Sequence, residues 1–213
     1  MHFVDRGIEP PQLQAIRQQY TPRWIAYYRN GVGPKPTDTR WRAFQPVLNT
    51  RFLDLCGYCE ELCKGEVDHF RPKKSFPARV YQWNNWINAC HVCNNQKGER
   101  WFRGGYVNPC DSRLDHHPER FFDFDTTTGE IVIRSNLSAS RFNRALRTRE
   151  RLKLNALYNL KKRVRYLKIV ERALQANMPQ ADKEQFIADI TSRDAEFSSL
   201  VRKFLVEKRI PFP

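Results

Sequence analysis

Two Cys-x-x-Cys pairs, Cys56 with Cys59 and Cys90 with Cys93, constrain this chain more than any other feature, and 30 residues lie between them. Four thiolates in two close pairs can close a tetrahedral cage around one zinc ion, and each short spacing makes the knuckle that such a cage needs. The chain between the pairs must therefore leave one knuckle and return to the other. It carries the reactive side chains: Asp68-His69 near its start, Trp83-Asn84-Asn85-Trp86 near its end, and Asn94 and Lys97 just beyond the second pair. His69 can take a proton from water near neutral pH. Asp68 and Asn94 offer oxygen atoms to a hard divalent cation.

At 213 residues the chain is long enough for one large or two small cores without disulfides. Six cysteines, four of them paired at metal spacing, suit a reducing compartment, and nothing near Met1 has the charged start and apolar core of a signal segment. No run approaches the 18 apolar residues of a spanning helix. A soluble, cytoplasmic protein with no membrane contact is the expectation. The net charge of +14 is concentrated, since residues 134–172 hold 13 Lys/Arg against 2 Asp/Glu. Such a segment draws polyanions, nucleic acid above all, although a solvated helix face would show the same composition.

Apolar spacing from Leu13 to Tyr27 predicts a short amphipathic helix broken at Pro22, and residues 31–40 read as a loop. A second helix is expected from Trp41 to Leu55, with Phe44, Leu48, Phe52 and Leu55 on one face. Glu66 to Phe70 should form a hairpin with the stretch just before it, turning at Gly65. Residues 83–88 should then approach a helix over 89–99 that stops near Gly98. Phe121–Phe124 and Ile131–Ile133 flank a loop and predict a second hairpin. Ser138 or Ser140 should cap a basic amphipathic helix within 141–175, and a second helix is expected at about 181–208. The fold class expected is α+β, a ββα metal-binding core between N-terminal helices and a basic helical C-terminal region. The three regions fall at 1–50, 51–120 and 121–213.

The ordered set Cys-x-x-Cys, Asp-His, a mid-loop Asn and Cys-x-x-Cys-Asn-x-x-Lys resembles the HNH, or ββα-metal, endonucleases over about 42 residues. The resemblance implies hydrolysis of phosphodiester bonds, with His69 as the general base that activates water. It implies Asp68 and Asn94 as ligands of a catalytic Mg²⁺ or Mn²⁺, and Cys56, Cys59, Cys90 and Cys93 as ligands of structural Zn²⁺. Asn85 takes the place of the asparagine that ties the loop to the strand and orients the histidine. Arg71, Lys73, Lys74 and Lys97, with Arg163 and Arg165 further on, are expected to meet nucleic-acid phosphates. More narrowly, Glu66-Val-Asp-His-Phe-Arg-Pro-Lys73, Tyr81-x-Trp-x-Asn-Trp86 and Leu152-Lys-Leu-Asn155 are similar to the PtuB group of HNH proteins. That group implies an anti-phage effector of the Septu or retron-associated type, working with an ATPase partner, PtuA.

DNA is the substrate expected, with RNA as the alternative nuclease substrate and a non-catalytic zinc module binding nucleic acid or protein as the rival class. A base placed beside two hard-metal ligands argues against the module. Cys63 is expected as a free thiol, Cys110 as a buried small hydrophobe, His116-His117 as a solvated turn, and Trp83 and Trp86 as packing.

Overall fold

A computed structural model describes all 213 residues. Helix α1 spans Gln12–Asn30 and helix α2 spans Gln45–Arg51, the latter preceded by a 3₁₀ turn at Arg40–Phe44. Strands β1 (Glu66–His69) and β2 (Trp86–Ala89) form an antiparallel hairpin, and α3 (His91–Lys97) follows directly. A second hairpin pairs β3 (Phe122–Phe124) with β4 (Ile131–Ile133). Four helices complete the chain: α4 (Ala139–Arg151), α5 (Leu157–Gln175), α6 (Gln180–Thr191) and α7 (Ser198–Glu207). The helix after the second cysteine pair and the second hairpin thus stand where the sequence put them.

Several elements differ from expectation. Helix α1 runs through Pro22 without a break. The proline removes one intrahelical hydrogen bond, but Leu13, Thr21 and Trp24 are buried on either side of it and hold the helix against the core. The expected helix over 41–55 is a 3₁₀ turn plus a short α2, although the apolar face of Phe44, Leu48, Phe52 and Leu55 is buried as predicted. The partner of β1 is β2, not the stretch before Gly65. All four residues of β2 are buried, so it lacks the polar alternation that would mark a strand in sequence. Gly65 serves close approach instead: a Cβ there would lie 1.8 Å from the Asn88 Oδ1.

The expected basic helix of 141–175 is two helices. Lys153 adopts a left-handed φ of 50°, which sends Leu152 and Leu154 into the core and lets Asn155 pair with both backbone groups of Ile131 at 2.9 and 3.1 Å. The helix expected over 181–208 is likewise interrupted between Thr191 and Ser198.

Burial falls into two clusters. The larger joins residues from Met1 to Leu154, drawing on all three expected regions, and the smaller joins α5, α6 and α7 through Leu167, Val170, Ile190, Leu200 and Phe204. No helix is long and apolar enough to cross a membrane.

Candidate active site and metal centre

The two knuckles meet. The Sγ atoms of Cys56, Cys59, Cys90 and Cys93 all lie within 4.8 Å of one another and all four residues are buried. Cys59 Sγ and Cys90 Sγ are 3.8 Å apart. A tetrahedron with Zn–S bonds of about 2.3 Å has edges of about 3.8 Å, so the four sulfurs fit zinc. All six cysteines are free thiols. Hydrogen bonding with the Cys56 and then the Cys90 sulfur holds the Cys59 thiol well above its ordinary value, and a bound cation would favour the thiolate instead. The first knuckle docks on β2 through the Gly57 amide, which donates to the Asn88 carbonyl at 2.8 Å. Gly57 is required here because a Cβ would fall 2.7 Å from the Phe52 ring. The second knuckle opens α3: Cys90 stands at its N-cap, and its Sγ accepts from the Cys93 amide at 3.4 Å.

Alternation along β1 sends neighbouring side chains to opposite faces. His69 faces Trp41 and Trp86, with ring centroids 4.9 and 6.3 Å away. Its Nε2 lies 2.9 Å from the Val80 carbonyl oxygen, which also accepts from Trp86 Nε1 at 2.9 Å. A carbonyl can only accept, so Nε2 carries the proton and Nδ1 is the free base nitrogen. Burial, and after it the Lys73 ammonium, hold His69 well below the ordinary imidazole value, which keeps it neutral. Asn85 braces the surrounding loops. Its Oδ1 accepts from the Arg71 amide at 2.8 Å, and its Nδ2 donates to the carbonyls of Arg71 and Arg79 at 3.1 and 3.0 Å.

Glu66 and Asp68 face α3. Asp68 Oδ1 accepts from Lys97 Nζ at 2.7 Å, and Asp68 Oδ2 accepts from the Tyr58 hydroxyl at 2.6 Å. Asn94 Nδ2 donates to Glu66 Oε2 at 2.6 Å. Asp68, His69 and Asn94 come together in one cleft of about 220 Å³, which Lys73, Asn95 and Glu99 also line. Each Asp68 oxygen keeps a lone pair beyond its present bond, and the Lys97 ammonium already balances the carboxylate's charge.

The residues expected on phosphates divide. Lys74 and Arg165 are exposed, Arg71 and Lys73 are partly exposed, and the Lys73 ammonium lies 4.3 Å from the Trp41 ring centroid. Two are corrected. Lys97 is buried, and its ammonium is spent on Asp68 and on the His69 carbonyl, both at 2.7 Å. Arg163 is buried too, donating to the carbonyls of Gly129 and Leu154 at 2.7 and 2.5 Å. Sequence reasoning assigned no role to Tyr58, Glu66 or Val80. Glu66 was within reach, since it precedes Asp68 by two residues and so shares its strand face. The Val80 carbonyl carries no side-chain signal at all.

The geometry agrees with comparison to known proteins. Residues 56–100 match the family model described as HNH endonuclease. A 63-residue segment is 35% identical to the Septu protein PtuB of Bacillus thuringiensis, over 25% of this chain and 24% of that protein. The match thus spans about a quarter of the length of that relative. The hairpin, the helix after it, the four clustered cysteines and His69 all lie within the segment that matches this HNH endonuclease model.

Proposed function

We propose that this protein is a metal-dependent endonuclease that hydrolyses DNA phosphodiester bonds and serves as the nuclease effector of a bacterial anti-phage system. The observation that carries the reading is the tautomer of His69: a neutral imidazole with its proton committed to the Val80 carbonyl, in the same cleft as Asp68 and Asn94. In this reading His69 Nδ1 accepts a proton from the water that attacks the scissile phosphorus. A Mg²⁺ or Mn²⁺ ion held by Asp68 and Asn94 would neutralise charge on the phosphate and on the leaving oxygen. Lys97 and Tyr58 fix the Asp68 carboxylate, and Asn85 keeps the strand end and the Val80 turn in register. The thiolate cage holds Zn²⁺ and acts on structure alone. Similarity to a Septu protein supports the defence role. An ATPase partner of the PtuA type belongs to the same proposal.

The test is cleavage of supercoiled plasmid by wild type and His69→Ala, with and without Mg²⁺ or Mn²⁺, with zinc content measured in both. Metal-dependent cutting by wild type alone is the expected result, with a loss of about 10²–10⁴-fold in the variant. Metal-independent cutting, or equal cutting by a folded His69→Ala, would overturn it. Cutting of RNA but not DNA would reassign the substrate.

A further inference from the structure

A second cleft, of about 320 Å³, is lined by Phe70 and Arg71, the two residues that follow His69. Five arginines line it, Arg6, Arg71, Arg79, Arg113 and Arg144, against a single carboxylate, Asp111. That carboxylate is already neutralised, because Arg113 Nε and Nη2 donate to its two oxygens at 2.9 and 2.7 Å. The remaining arginines find no anion among the lining residues. Arg6 is 93% buried, since 7% of its surface is exposed, yet its Nε and Nη2 have no hydrogen-bond partner. The Nε of Arg144 is buried and unpartnered as well. Burial and then Arg79 lower Arg71 from its ordinary value, while burial and then Arg113 lower Arg144. A buried guanidinium without a partner is costly, and five crowded cations repel one another. Such a group is stable where an anion completes it, and the planar fork of arginine matches the oxygens of phosphate.

We infer that this arginine cleft binds the phosphates of the polynucleotide strand on one side of the scissile bond, so that the substrate is gripped by Arg6, Arg79 and Arg144 as well as at the HNH cleft. The inference rests on the nuclease reading and extends it to the path of the strand. Continuity favours a strand over a free anion. Arg71 is two residues from His69, a span of less than about 8 Å between Cα atoms. Asn85, which braces the turn beside His69, lines the same cleft. Trp101 also lines it, with its ring centroid 5.8 Å from the Arg71 guanidinium, and an aromatic among arginines is the make-up of single-strand grooves.

The experiment measures binding apart from cleavage. Fluorescence anisotropy with labelled single-stranded and duplex oligonucleotides, without added divalent cation, compares wild type, Arg79→Gln/Arg144→Gln and Arg6→Gln across a salt series. Melting temperature and zinc content verify folding. The double variant should bind about tenfold or more weakly, and its slope of log K against log salt should fall by about 2. If Arg6→Gln does not fold, the pair alone decides, because Arg79 and Arg144 are both partly exposed. A folded double variant with wild-type affinity and salt slope overturns the inference. So does a double variant that binds oligonucleotides normally but loses the melting shift given to wild type by inorganic phosphate or a mononucleotide, which would make this a free-anion site. Plasmid cutting by the same wild-type preparation reports on the nuclease reading separately: cutting that persists while the arginine variants bind normally sinks only the strand path.

Discussion

At the residue scale, the structure replaces one expected role with another. Lys97 falls one helical turn after Asn94, a spacing that suggested an outward phosphate contact, yet α3 packs on β1 so that this position meets Asp68 in the interior. Its role is then to hold the carboxylate, and the two readings predict different experiments. Lys97→Met should lower stability by about 3–5 kcal/mol in urea unfolding, because it leaves the Asp68 charge buried and unpaired. A surface phosphate contact would instead leave stability unchanged and reduce only the salt dependence of binding. Asp68→Asn should be the milder change in stability, since it keeps an acceptor for Lys97, while under the proposed mechanism it removes a charged metal ligand and with it most of the cleavage. Urea midpoints and plasmid cutting on the same samples separate the two effects.

At the scale of elements, what could be read in the sequence followed from side-chain chemistry, and what could not be read followed from burial. The knuckles, the Asp-His strand and α3 were legible because cysteine spacing and a capped, glycine-terminated helix are local signals. Strand β2 was not, since a fully buried strand has no alternating polarity, and its pairing with β1 is a long-range fact. The basic helix was legible as a charged segment but not as two pieces, because its break depends on Asn155 finding the edge of β4. Arg163 shows the same limit: in sequence it sits among exposed cations, and in the fold it bonds two carbonyls in the interior. Arg163→Ala should therefore destabilise the protein by about 2–3 kcal/mol, from lost charged hydrogen bonds. Arg165→Gln, on the exposed face, should change stability by less than about 0.5 kcal/mol. It should reduce the salt slope of nucleic-acid binding by about 1 if that face meets phosphates. For the ββα unit as a whole, Cys90→Ser or a strong chelator should release zinc and lower the melting temperature together, because the cage joins the knuckle before β1 to the cap of α3.

At the scale of the whole molecule, the first knuckle is the seam between the two hydrophobic clusters. Glu60, buried beside Cys59, accepts from the Ser199 hydroxyl at 2.6 Å and from the Ser199 amide at 3.2 Å, while its own carbonyl accepts from the Phe197 amide at 3.2 Å. The Leu62 amide donates to Glu196 at 3.1 Å on the same seam. Glu60→Ala should accordingly loosen α7 from the ββα core: hydrogen exchange would quicken at residues 198–207 while zinc remains bound, whereas unchanged protection there would show that the clusters hold together without it. The protein's other organising contact is of a different kind. The proton of His69 is placed by the main-chain oxygen of Val80, and every amino acid supplies that same oxygen. Drift at position 80 can change the size of the side chain but never delete the acceptor. Any substitution that leaves the turn in place therefore leaves the His69 ring with the same acceptor, and the orientation of the imidazole is carried by the backbone and not by the identity of a side chain.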